Sequence, residues 1–250
     1  MGGLYFLQEQ LLFPRSVAAQ ALFRLPAGTE TIELQAATGE RLVGRLSRAE
    51  GASRGLLLGF PGNAWNADDC LTFLRHRLAD VDIAVFHYRG YGPSEGEPGE
   101  AALVADAALI HDALRERLQP QRIFAAGFSL GSGVVAQLAT ARPLDGLILV
   151  TPFDSIEAVA TARYAWAPVR PMLRHPFRSD RHLKGLDIPA AVIIAADDQV
   201  VPRVNSEALV QVLQRPVLVE TVADATHGGI YDHPAIDAVL RRALDAIARG

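Results

Sequence analysis

Six short, largely apolar runs, most of them separated by stretches with helical periodicity, constrain this chain more than any other feature. They lie at residues 55–60, 83–88, 122–128, 146–150, 191–195 and 217–222. A run so short and so largely apolar is the signature of a strand covered on both faces. Residues 67–79, 100–118, 130–141 and 204–213 between them read as helices, and 234–248 as a closing helix. Strand and helix in alternation predict right-handed crossovers and a mostly parallel sheet with helices on both faces. Ahead of this pattern, residues 31–34 and 41–46 alternate across a Thr38-Gly39-Glu40 turn, which predicts an antiparallel hairpin. The expected sheet therefore has eight strands.

No repeat, low-complexity tract or linker breaks the pattern, so residues 1–250 are expected to form a single α/β domain. The one interruption spans residues 151–189 and is rich in Pro and Arg. Within it, residues 153–185 are expected to form a short lid insertion over one end of the sheet. Tyr164, Trp166, Met172 and Phe177 of that insertion either line an apolar pocket or pack the lid down.

Half of the chain is hydrophobic and 21% is charged, enough apolar surface for a large core. A net charge of −4 gives no basic field, and no nucleic-acid partner is expected. Cys70 is the only cysteine, so no internal disulfide can form and nothing demands an oxidising compartment. No apolar run approaches the length of a spanning helix. In the N-terminal segment 1–14, Leu4 to Leu7 and Leu11 to Phe13 are apolar, but Gln8, Glu9 and Gln10 divide them. That segment reads as a helix lying on the domain, or as the tail of a membrane anchor that the chain lacks.

Ligands in doubly wound sheets bind beyond the carboxyl ends of the strands, and three polar residues are expected there. The run 122–128 leads directly into Gly127-Phe128-Ser129-Leu130-Gly131 and then a helix. A G-x-S-x-G pentapeptide between a buried strand and a helix is the sequence form of a nucleophile elbow, with Ser129 exposed at a strained turn. A serine hydroxyl needs a base that is itself held by a third group. His227, in the loop after the last strand, is the expected base. The acid is expected after an earlier strand, where Asp197 and Asp198 adjoin; Asp198 is preferred and Asp154 is a third candidate. The order Ser129, Asp198, His227 is the one expected on such a sheet. Two backbone N–H groups should receive the developing oxyanion. Leu130 follows the nucleophile, and Asn63 lies in the Phe60-Pro61-Gly62-Asn63-Ala64 loop.

With these residues the chain resembles the α/β-hydrolase superfamily over nearly its whole length, and most closely the BEM46-like (ABHD13-type) serine hydrolases. The resemblance rests on Phe60 to Ala64, Tyr88-Arg89-Gly90-Tyr91-Gly92-Pro93-Ser94-Glu95-Gly96, Gly127 to Gly131, Thr151-Pro152-Phe153-Asp154-Ser155 and Asp198-Gln199-Val200-Val201-Pro202. One departure is Pro61, which stands where the group usually has a histidine bracing the oxyanion loop. The resemblance implies a serine hydrolase of carboxylic esters or thioesters, acting on a small-molecule acyl substrate without metal or organic cofactor. Amide hydrolysis of the serine aminopeptidase type and a non-catalytic scaffold are the competing expectations. It also implies either a cytoplasmic enzyme or one anchored to a membrane through a segment ahead of residue 1.

Overall fold

The computed structural model describes residues 8–164, 166 and 168–250. The apolar residues 4–7 lie outside the described residues. Eight strands form a mostly parallel sheet, and two compact units divide the chain at residues 125 and 126.

In residues 1–125 the predicted hairpin is β1 (Glu30–Gln35) and β2 (Arg41–Ser47), antiparallel with Leu34 opposite Leu42. Strand β2 also runs antiparallel to β4 (Asp82–Phe86), and β3 (Leu56–Phe60) pairs parallel with β4. All five residues of β3 are buried, as expected for a strand covered on both faces. Helix α1 (Ala67–Arg77) starts where the Asn66 side chain accepts from the Asp68 amide, and Asp68 and Asp69 favour its positive end. Asp69 also accepts from the amides of Leu22 and Phe23, and Asn66 Nδ2 donates to the Ala18 carbonyl at 2.9 Å. The segment that precedes β1 is thereby tied to this helix. Helix α2 (Glu100–Leu118) buries Leu103, Ala107, Ile110 and Leu114, a stripe at intervals of three and four residues.

In residues 126–250 the order continues from the end of β5 (Ile123–Phe128) through β6 (Gly146–Val150) and β7 (Ala190–Ala195) to β8 (Pro216–Val222). Both β6–β7 and β7–β8 are parallel. Helix α3 (Leu130–Ala141) follows β5 directly. The interruption after β6 holds three short helices, α4 (Ile156–Arg163), α5 (Val169–Met172) and α6 (Ser179–Leu183). Helix α7 (Arg203–Val210) precedes β8, and α8 (Ile236–Arg249) ends the chain. Helix α8 buries Ile236, Val239, Leu240, Ala243, Leu244 and Ile247. Each large apolar side chain so buried contributes about 1.5–3 kcal/mol against exposure. The helix comes so close to β6 that a Cβ at Gly146 would lie 2.7 Å from Ile247 Cβ.

Strand β8 departs from the expected two-sided burial. None of its residues is buried before Val222, and Val219 is 47% exposed. The cause is its place at the edge, where only β7 pairs with it. Among the described residues no helix is long and apolar enough to cross a membrane.

Candidate active site

Backbone hydrogen bonds bring the carboxyl ends of four strands level. The Ser129 amide donates to the Val150 carbonyl at 2.9 Å, Thr151 to Ile193 at 2.8 Å, and Ala196 to Val222 at 3.0 Å. Side chains that leave β5, β7 and β8 just past these points therefore share one rim.

Ser129 occupies the turn between β5 and α3 with φ +49° and ψ −115°. Such a backbone costs an L-residue of order 1–3 kcal/mol and persists only where the surroundings impose it. Gly127 is one of the impositions, because a Cβ there would lie 2.6 Å from the Gly131 carbonyl oxygen. The turn closes through the Ser132 amide, 2.9 Å from the Ser129 carbonyl, and through Ser132 Oγ at 2.6 Å. Ser129 sits at the N-cap of α3 without using its hydroxyl as a cap. Its Oγ instead lies 2.9 Å from His227 Nε2.

His227 follows β8, and its Nδ1 is 2.7 Å from Asp198 Oδ2. An ionised carboxylate can only accept, so the proton between them is assigned to Nδ1. Nε2 then carries the lone pair and accepts the Ser129 hydroxyl proton. The other carboxylate oxygen of Asp198 accepts the amides of Val200 and Val201, each at 2.8 Å. Burial leaves the Asp198 side chain 2% exposed and the imidazole 16%. A carboxylate so enclosed needs hydrogen-bond donors on both oxygens, and these three supply them.

The structure thus joins Ser129, Asp198 and His227. It does not bring in the two other acids at this point. Asp197 is exposed, and its amide donates to the Ala225 carbonyl. Asp154 Oδ1 accepts from the Ser155 amide and from Asn205 Nδ2 at 2.9 Å, holding the loop after β6 against α7. His233 lies just ahead of α8, where its Nδ1 accepts the Ala235 amide. Cys70 is fully buried in α1, and burial pushes its thiol far above its usual pKa, so it offers no competing thiolate. Among the described residues no group of three or more His, Cys, Asp or Glu side chains is placed to hold a metal ion.

The Leu130 amide is the first of α3, and Asn63 lies half-buried in the loop after β3. Among the described residues neither of these amides has a protein acceptor. The insertion separates its aromatic residues. Phe177 is fully buried with Phe153 against α3, where a Cβ at Gly133 would lie 2.8 and 2.9 Å from their rings. Trp166 is 80% exposed. Neither Tyr231 nor Thr151, which entered the sequence reading only as part of a motif, was among the expected site residues. Thr151 is buried with φ +47°, its hydroxyl is 3.4 Å from Tyr231 Oη, and the Tyr231 ring meets Phe128 edge-on at 6.0 Å. Thr151 directly follows β6, whereas Tyr231 lies in the turn of residues 229–232 and no sequence motif marks it.

The sequence profile described as serine aminopeptidase, S33, matches residues 51–179. An uncharacterized protein of Mycobacterium tuberculosis is 33% identical over 230 residues, which is 90% of this chain and 79% of that protein. The lysophosphatidylserine lipase ABHD12 of Danio rerio is 30% identical over 138 residues, 48% of this chain and 36% of that protein. Among solved structures, an alpha-beta hydrolase from Vibrio vulnificus superposes with a TM-score of 0.74 at 18% identity, covering 100% of this chain and 94% of its own.

Proposed function

The chain belongs to the serine aminopeptidase S33 family of the α/β-hydrolase superfamily, and on that premise we propose that it cleaves carboxylic esters or thioesters through an acyl-enzyme on Ser129. The observation that carries this reading is the unbroken contact chain from Asp198 through His227 to Ser129.

Ser129 Oγ attacks the acyl carbon while its proton passes to His227 Nε2. Asp198 holds the imidazole in the required tautomer and stabilises the cation that forms. The carbonyl oxygen becomes an anion and takes a hydrogen bond from the amide of Leu130, a kind of donor that contributes about 2.7–4 kcal/mol in known sites. The proton on His227 then goes to the leaving alcohol or thiol as the tetrahedral adduct collapses. Water, deprotonated by His227, attacks the acyl-enzyme and frees the acid, and the proton returns to Ser129. The scheme uses no metal or organic cofactor. ABHD12, which is named for a lipid ester, supports ester over amide as the substrate bond. The family's description supports a second reading, hydrolysis of aminoacyl amides.

A panel of nitrophenyl esters, an acyl thioester and aminoacyl nitroanilides tests the choice. Esters of short and medium chain are expected to turn over fastest beneath a lid formed by residues 153–185. Faster release of nitroaniline than of nitrophenol assigns the peptidase reading instead, and a clear preference for long acyl chains removes the short lid from the account.

A further inference from the structure

His227 follows β8, the edge strand that pairs in the sheet only with β7. The loop after β7 holds the base from one side. The Asp197 amide donates to the Ala225 carbonyl at 2.9 Å, and Asp198 Oδ2 lies 2.7 Å from Nδ1. Neither contact sets the distance from Nε2 to the nucleophile, because an imidazole pivoting about its Nδ1 hydrogen bond swings Nε2 through an arc. A tie to the nucleophile side comes four residues later.

Downstream of His227 the chain makes a single turn, Gly229–Asp232. The Ile230 amide donates to the Thr226 carbonyl at 3.0 Å, and the Gly229 amide donates to Thr226 Oγ1 at 3.1 Å. These bonds straddle His227, so the turn and the base move as one piece. Ile230 is fully buried and anchors the turn. Tyr231, the next residue, reaches the ends of β5 and β6. Its ring meets that of Phe128, the residue before Ser129, edge-on at 6.0 Å, within the range of attractive aromatic pairs. Its Oη lies 3.4 Å from Thr151 Oγ1. The Thr151 hydroxyl donates to the Val150 carbonyl at 2.8 Å, and the same carbonyl accepts the Ser129 amide at 2.9 Å. Thr151 holds this pose at φ +47°, a backbone that a β-branched residue keeps only where its surroundings impose it. All of these groups belong to the unit of residues 126–250.

We propose that the ring of Tyr231 is a positioning strut, holding the base loop against the nucleophile turn so that His227 Nε2 stays within reach of Ser129 Oγ. The proposal rests on the serine-hydrolase reading above. The hydroxyl pair is long for an O–H···O bond, so the ring carries the contact. A catalytic group displaced by about 1 Å costs up to about 100-fold in rate. A strut that aims the base acts on the chemical step and leaves substrate binding largely alone.

Tyr231→Ala removes the ring, and Tyr231→Phe keeps it. Tyr231→Ala is expected to lower kcat for a nitrophenyl ester about 10- to 100-fold, with KM within about twofold. Tyr231→Phe is expected to keep both within about threefold of wild type. Labelling by a fluorophosphonate should slow in Tyr231→Ala by a factor similar to the loss in kcat, because it draws on the same base. A folded Tyr231→Ala with kcat within about twofold of wild type overturns the proposal, as does a loss confined to KM. A Tyr231→Phe as impaired as Tyr231→Ala overturns it too. If Tyr231→Ala does not fold, Tyr231→Leu, which keeps apolar bulk without an aromatic edge, is read against Tyr231→Phe in its place. A wild-type protein that neither hydrolyses esters nor takes the label sinks the hydrolase reading together with the strut. An active wild type with unaffected Tyr231 variants sinks the strut alone.

Discussion

His227→Ala is expected to lower ester turnover by about 10⁴- to 10⁶-fold. The imidazole contacts both the hydroxyl of Ser129 and the carboxylate of Asp198. Its loss removes the acceptor for the nucleophile's proton and the donor for the leaving group at once. The Oγ of Ser129 then attacks as a neutral alcohol, while the oxyanion donor remains and keeps a residual rate above that of water. The imidazole is partly exposed at a loop and packs no core, so circular dichroism and the thermal midpoint should change little. Steady-state kcat/KM on a nitrophenyl ester measures the effect. Turnover within tenfold of wild type would remove His227 from the role of base.

Asp198→Asn is expected to reduce kcat about 10⁴-fold without unfolding the protein. Oδ1 of Asp198 accepts the Val200 and Val201 amides, and an asparagine oxygen can accept both in its place. Its amide nitrogen would then face His227 Nδ1 and donate to it, which forces the ring proton onto Nε2. With Nε2 protonated, the base facing Ser129 is lost although the geometry survives. Asp197→Asn is the internal comparison. That carboxylate is exposed and outside the contact chain, so its loss should alter kcat by no more than about twofold. Kinetics of the two variants in parallel settle which aspartate orients the imidazole, and a severe Asp197 variant beside a mild Asp198 variant would reverse the assignment.

Much of this arrangement is legible in the order of residues because strong local signals coincide with strand ends. Helices α2 and α3 fall on the residues predicted for them, 100–118 and 130–141, since α2 carries a long apolar stripe and α3 is apolar along most of its length and begins at a sharp turn. Asp198 could be favoured over Asp197 because the strand-to-helix loop opens at that residue. Other features depend on partners that no local pattern encodes. The apolar run of β8 reads like the others, although it lies at an edge with one neighbour. Helix α7 was expected to reach residue 213 but ends at Val210, where Val212 and Leu213 turn back to the Leu209 and Val210 carbonyls. In the insertion, Phe177 and Trp166 look alike as letters, and only Gly133 on α3 makes room for the first. The tyrosines at 88 and 91 stand out in the sequence, yet their acceptors are backbone carbonyls 27 and 28 residues away. A hydroxyl aimed at main chain leaves no mark in the residue it reaches.

The central claim is that Ser129 carries the acyl group. Intact-mass spectrometry and peptide mapping after reaction with a fluorophosphonate test it most directly. One adduct per chain on Ser129, absent from Ser129→Ala, is the predicted result. A folded wild-type protein that gains no mass, or gains it on another residue, contradicts the account.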